Sequence, residues 1–306
     1  MPEHMPEQMD AQPMNRTAFR PRAIVALLLL CGLGPLAHAA APAVMRRGVD
    51  EVEARNARVL DHWDGAQVTG VRALGGKSAS VIEVLTAQNR RFVVRRPRRG
   101  VDHAMRVGVS QQKLAAQLGD ARLVVPSAKS VAGPNLAAHI PVGTEVMVVK
   151  HVGEKYMSAS VAPPQWVAKI PEKQRLISAI VDLLHEHRDR KTENVMVRED
   201  GTTRLIDPDK CCGEGKDNRA FRSQFFPGGK IAYATPQNRF ADLPPEMQEV
   251  VGAIAAMDLP SIATSYGLTA PEAQLLSTHA KRIVQVSLTA TINEYVRTLG
   301  QLHADK

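Results

Sequence analysis

The sequence predicts an α+β fold, in which a small antiparallel β-rich portion precedes a mostly helical one. Three observations carry this. Short runs with apolar and polar residues alternating lie between Val68 and Arg95, joined by tight turns. Beyond Pro163 the apolar spacing changes to a helical period. The 306 residues are 44% hydrophobic and 23% charged, which suits a globular chain large enough for one large or two small domains.

Residues 1–39 read as a secretory signal peptide. Arg16, Arg20 and Arg22 precede an apolar run from Ala23 to Leu33, and Ala37-His38-Ala39 offers small residues for cleavage. Met14 is the expected true start, and a periplasmic or secreted location follows, with action inside a host cell as an extension. Residues 40–65 read as an N-terminal helix through Val49, Val52, Ala57, Leu60 and Trp63. Residues 66–152 hold the β-rich part: "VTGVRAL", "SVIEVLT" and "RRFVVRRP" form a meander. The helix "VSQQKLAAQLG" and the strands "RLVVPSAKSV" and "EVMVVKHV" follow. Residues 153–306 hold the helix "PEKQRLISAIVDLLHEH" and a hairpin turning at Asp200-Gly201. A long exposed loop near 210–230 follows, then closing helices near 244–256, 257–266 and 270–299.

The net charge of +8 points to acidic or phosphorylated partners without naming one. Removing residues 1–39 leaves that charge unchanged and leaves two cysteines, the adjacent Cys211 and Cys212. Adjacent cysteines seldom bond to each other, so free thiols in a loop are expected rather than a disulfide or a metal site. The cluster Arg90, Arg91, Arg95, Arg96, Arg98 and Arg99 reads as a solvated rim, with phosphate, an acidic protein or a membrane surface as the sharper alternatives. Aromatics are not interleaved there, so nucleic acid is not an expected partner.

The stretch with most chemistry is "HRDRKTENVMVREDGTTRLIDPD", His187 to Asp209. Phosphoryl transfer is mainly positioning and charge neutralisation. It needs a carboxylate to orient and deprotonate the attacking hydroxyl, and oxygen ligands for magnesium. A loop carrying Asp189 and Asn194, followed by a hairpin returning Asp207, delivers such groups together.

"HRDRKTENVMV" resembles the catalytic loop of protein kinases at His187, Arg188, Asp189, Lys191 and Asn194. "LIDPD" stands where that family has its Asp-Phe-Gly. The resemblance covers roughly residues 66–250 and is to compact, atypical bacterial members. It implies a two-lobed protein-kinase-like fold with Asp189 as catalytic base and Lys191 on the transferred phosphate. Asn194 and Asp207 become the metal ligands, and ATP with magnesium (manganese as an alternative) the cofactors. Arg190 replaces the usual Leu, as in the loop of phosphoinositide-kinase relatives. By the same resemblance Gly75, Gly76, Lys77 and Ser78 form a degenerate phosphate loop. Strand alternation makes Arg95 the stand-in for the expected strand Lys, with Arg96 as alternative. Gln112 is the nearest substitute for the missing helix Glu, and the hinge falls at Lys150 to Val152. Thr235, Pro236, Pro245 and Glu246 faintly resemble the motifs that follow the activation segment. Asp209 reads either as a further metal ligand or as a hairpin end, and His185 and His187 as packing residues. The expected activity is transfer of the ATP γ-phosphate to a protein Ser/Thr hydroxyl. A lipid or small-molecule kinase is one alternative, and a secreted pseudokinase acting as a binding module is the other.

Overall fold

The computed structural model describes residues 43–63, 67–74, 81–212, 223–234 and 243–304. The signal segment, Gly75 to Ser78 of the expected phosphate loop, and Thr235-Pro236 lie outside them.

The α+β class is the one observed. Helix α1 (Val49–Asp61) precedes β1 (Val68–Ala73), β2 (Val81–Thr86) and β3 (Arg91–Arg95). Then come α2 (Val101–Gln117), β4 (Ser127–Val131) and β5 (Glu145–Lys150). These strands make a five-stranded, fully antiparallel sheet of order β1-β2-β3-β5-β4. The short strand β6 (Met157–Ser158), α3 (Pro164–Ala168) and α4 (Glu172–Leu184) follow. The hairpin β7 (Val195–Val197) and β8 (Thr203–Leu205) then pairs with β6. Helices α5 (Pro245–Ala256), α6 (Leu259–Tyr266), α7 (Ala270–Gln285) and α8 (Leu288–Ala304) close the chain.

Strand alternation gives the five-stranded sheet two different faces. Ile82, Val84, Phe92, Val94, Val146 and Val148 point to one face, where Val59 of α1 packs with them and Trp63 meets Phe92 edge-on at 5.4 Å. Arg95 and its cross-strand partner Met147 point to the other, where Met147 packs on Val101 and Ala104 of α2. Helix α2 begins eight residues before the expected "VSQQKLAAQLG", directly after Gly100. Its C-terminal Leu114 and Leu118 enter the larger core, with Ile177, Ile180 and Leu184 of α4 and the apolar faces of α5 to α8. Arg106 of α2 adds a two-pronged ion pair to Glu272 of α7, at 2.9 and 3.1 Å.

Three expectations fail here. The loop expected to be exposed near 210–230 is largely buried where it is described, at Cys211, Cys212, Ser223, Phe225 and Phe226, because the two Phe rings enter the larger core. The helix expected over 270–299 is two helices, broken at Val286-Ser287, because Ser287 starts α8: its Oγ accepts from Ala290 N–H at 3.1 Å. Cys211 and Cys212 are not free thiols. They form a disulfide and are buried beside Val107, which supplies the apolar surroundings that the sequence does not reveal.

The β7–β8 turn depends on Gly201, whose φ is +84°. A Cβ there would stand 2.2 Å from the Lys169 carbonyl oxygen. Gly201→Ala is therefore expected to destabilise the protein by about 2 kcal/mol or more, read as a shift of the urea midpoint.

Candidate active site

The hairpin and the loop before it bring the chemistry-bearing residues together. Helix α4 ends at Leu184, and the chain reverses through Glu186, whose φ is +44°. His187 N–H returns to the Asp182 carbonyl at 2.7 Å. Asp189 follows, then a 3₁₀ turn over Thr192–Asn194 that leads into β7. Asn194 Nδ2 donates to the Asp189 carbonyl at 2.7 Å and its backbone carbonyl accepts from Ile206 N–H at 3.1 Å. These bonds tie the loop to the exit of β8, where Asp207 sits with a φ of +60°.

Asp207 also receives Arg95. The guanidinium crosses from β3 to the Asp207 carboxylate through Nη1, while Nη2 lies 3.0 Å from Asp209 Oδ1. The Asp189 carboxylate is held by Lys191 Nζ at 3.0 Å on one oxygen and by Lys210 Nζ on the other. Asp189, Lys191, Asn194, Asp207 and Arg95 thus occupy one place. Gln112 does not join them: it donates to the Val125 carbonyl and accepts from Asn56. One residue along a helix turns the side chain by about 100°, so it is Gln111 that faces the site, donating to the Pro208 carbonyl at 3.4 Å. Gly108 on the same helix lets Pro208 approach, since a Cβ there would meet Pro208 Cγ at 3.2 Å.

At the expected hinge, Lys150 N–H donates to Pro126 O and His151 N–H to Arg91 O, so the sheet occupies both. The Lys150 side chain, paired in register with Phe92, lies on the α1 side of the sheet, away from Arg95. The arginine cluster does not form one patch. Arg91 pairs with Glu83 and Glu154, Arg95 enters the site, and Arg99 donates to the Cys211 carbonyl at 2.8 Å.

Arg190 is the residue that sequence reasoning passed over. It is fully buried. Nε donates to both Asp182 oxygens at 3.1 and 3.3 Å, Nη1 to the Ile206 carbonyl at 2.6 Å, and Nη2 to Gln111 Oε1 at 3.4 Å. Asp182 also accepts from Ser223 Oγ at 2.6 Å. Burial raises the Asp182 pKa, and the Arg190 charge opposes that shift. The guanidinium therefore braces the peptide next to Asp207 from behind. An apolar helix carrying one Asp, seven residues before "DR", was the available signal.

Two buried histidines line the loop. His187 Nδ1 accepts from Asp189 N–H at 3.3 Å, so Nε2 carries the proton and donates to the Asp207 carbonyl at 3.2 Å. His185 Nδ1 donates to the Val181 carbonyl and Nε2 accepts from Ser110. Both bond sets fit neutral rings, and burial lowers both pKa values, that of His185 to about 4. The unfolded chain takes up a proton near pH 6.5, which the folded His185 refuses until about pH 4. Stability is therefore expected to fall as the pH drops through that window, by about 3 kcal/mol from His185 alone at pH 4. Urea midpoints measured between pH 7 and 4 check this.

The donor chemistry suits a divalent cation and phosphate. Asn194 and Asp207 offer hard oxygen ligands. Arg95 Nε is buried without a hydrogen-bond partner, and Arg95 Nη2 and Asp209 Oδ1 face each other at 3.0 Å as an ion pair without hydrogen-bond geometry, so guanidinium N–H groups stay available to anionic oxygens. Among the described residues no group of three or more His, Cys, Asp or Glu could hold a metal alone. A cation here would complete its shell with other oxygens.

No protein-family model and no curated protein matches the chain. Among solved structures, it is similar to a proinflammatory kinase, CtkA, of Helicobacter pylori. The TM-score is 0.38 and the identity 12%, over 75% of this chain and 95% of that one.

Proposed function

We propose that this chain is an ATP- and magnesium-dependent phosphotransferase of protein-kinase-like type, acting on a Ser/Thr hydroxyl of a protein. One observation carries the reading: Asp189, Asn194 and Asp207, from a loop and a hairpin exit, are bonded into one cluster that Arg95 reaches from the sheet. Asn194 and Asp207 would hold the magnesium, and Arg95 and Lys191 the phosphates. The magnesium nucleotide, when bound, supplies the transferable phosphoryl group and neutralises its charge. Asp189 orients the acceptor hydroxyl and takes its proton on a carboxylate oxygen. Lys191 and Lys210 are each about half exposed and can leave that oxygen free. Lys191 favours a protein acceptor over a lipid or small molecule. Export belongs to the same proposal, on the strength of the basic and apolar pattern of residues 14–39.

A second reading, a binding module without catalysis, has one observation in its favour. Arg95 engages Asp207 and Asp209 together, which competes with a metal. Calorimetric titration with ATP, with and without magnesium, tests the nucleotide and metal site that the enzyme reading requires. The enzyme reading expects magnesium-dependent binding, lost in Asn194→Ala/Asp207→Ala and weakened about tenfold in Arg95→Ala. Tighter binding in Arg95→Ala would favour the second reading, in which Arg95 competes with the metal for Asp207. No magnesium-dependent binding in the native chain would overturn the enzyme.

A further inference from the structure

A second concave site lies on the α1 side of the sheet. It is a cavity of about 580 Å³ between α1, the 150–152 segment and β8, and it shares no residue with the acidic cluster. That volume is within the roughly 300–1,000 Å³ of small-ligand sites. Five permanent cations line it: Arg55, Arg58, Arg122, Lys150 and Arg204. Glu51 is its only acid.

Little inside the protein neutralises these charges. Glu51 reaches Arg122 only at 3.9 Å. Arg55 and Arg204 spend hydrogen bonds on neutral carbonyls, those of Ala121 and Thr203. Arg58 and Lys150 are exposed at the rim. Burial and then the Arg204 and Arg122 charges lower the Arg55 pKa, with Glu51 and Asp120 opposing them. Cations held this close repel one another, and an anion of several charges would relieve the repulsion. A neighbouring groove of about 510 Å³ shares Arg58 and Lys150 and adds Arg90 and the Arg91–Glu154 ion pair.

We infer that this cavity binds a small, multiply phosphorylated anion. Guanidinium groups meet phosphate oxygens through paired N–H donors, and three of the lining residues besides the rim pair can do so from different walls. A nucleic-acid strand fits less well, because Tyr156, the aromatic residue of the lining, is already covered by Arg204 at 5.8 Å. The bound anion would join α1 to Arg204 of β8, two residues before Ile206 and three before Asp207.

The test is calorimetric titration of the full chain with tripolyphosphate in magnesium-free buffer. The variants are Arg58→Ala/Arg122→Ala, both exposed, and Arg95→Ala in the acidic cluster. Saturable binding is expected, weakening with added sodium chloride. The Arg58→Ala/Arg122→Ala variant should bind about tenfold more weakly, whereas Arg95→Ala should bind as the native chain does. Vesicles of phosphatidylcholine with a bisphosphorylated inositol lipid locate the source. Vesicle binding lost in the double variant supports a lipid headgroup, and tripolyphosphate binding without vesicle binding supports a free solute. No binding of either probe, or binding that only Arg95→Ala removes, would overturn the inference. Failure of ATP binding at the acidic cluster would leave it standing.

Discussion

Asp182→Ala is expected to be the most destabilising single change in the helical core. It would leave the Arg190 guanidinium, fully buried and bonded on every side, without its counter-charge. Removing one member of a buried ion pair costs about 3–5 kcal/mol, because the remaining charge stays desolvated. For a chain of this size that corresponds to a fall in melting temperature on the order of 10 °C. The double replacement Asp182→Leu/Arg190→Met removes both charges and is expected to lose much less. Urea midpoints of the native chain, Asp182→Ala and the double variant check both numbers. Equal losses in the single and double variants would show that the pair does not hold the loop.

Asp189→Asn is expected to have the largest effect on chemistry. The substitution keeps the size of the side chain but removes the base, and general-base catalysis is worth about 10²–10⁴ in rate. Stability should fall by about 1 kcal/mol, because the Asp189 carboxylate is buried while its Lys191 and Lys210 partners are about half exposed and Asn keeps the shape of the side chain. ATP affinity should also hold, because Asp189 is assigned to the acceptor and not to the nucleotide. Rate and affinity falling together would place Asp189 in nucleotide binding instead.

Much of the fold was legible from alternation and turn chemistry. Burial alternates along β3, while β2 and β5 are buried on both faces at Ile82–Val84 and Val146–Val148, and Asp200-Gly201 turns the hairpin where expected. The same alternation put Arg95 and Val93 on one strand face, and that face meets Asp207. The remainder depended on tertiary neighbours. Gln111 and Gln112 are adjacent and chemically identical, and only the phase of α2 against Pro208 and Asn56 tells them apart. A charged residue defaults to solvent, so Arg190 does not by itself announce its burial; the signal is its partner Asp182, on the apolar helix before the loop. Ser287 breaks the last helix without a Gly or Pro to signal it. The cysteine pair required knowing that Val107 would bury it.

The most direct test of the central claim is transfer of terminally labelled phosphate from ATP, with magnesium, to the protein itself and to generic protein acceptors. The native chain is expected to label Ser or Thr, with Asp189→Asn and Asp207→Asn falling to background. Absence of transfer by the native chain, or equal labelling by all three proteins, would contradict the assignment of His187 to Asp209 as a phosphoryl-transfer site.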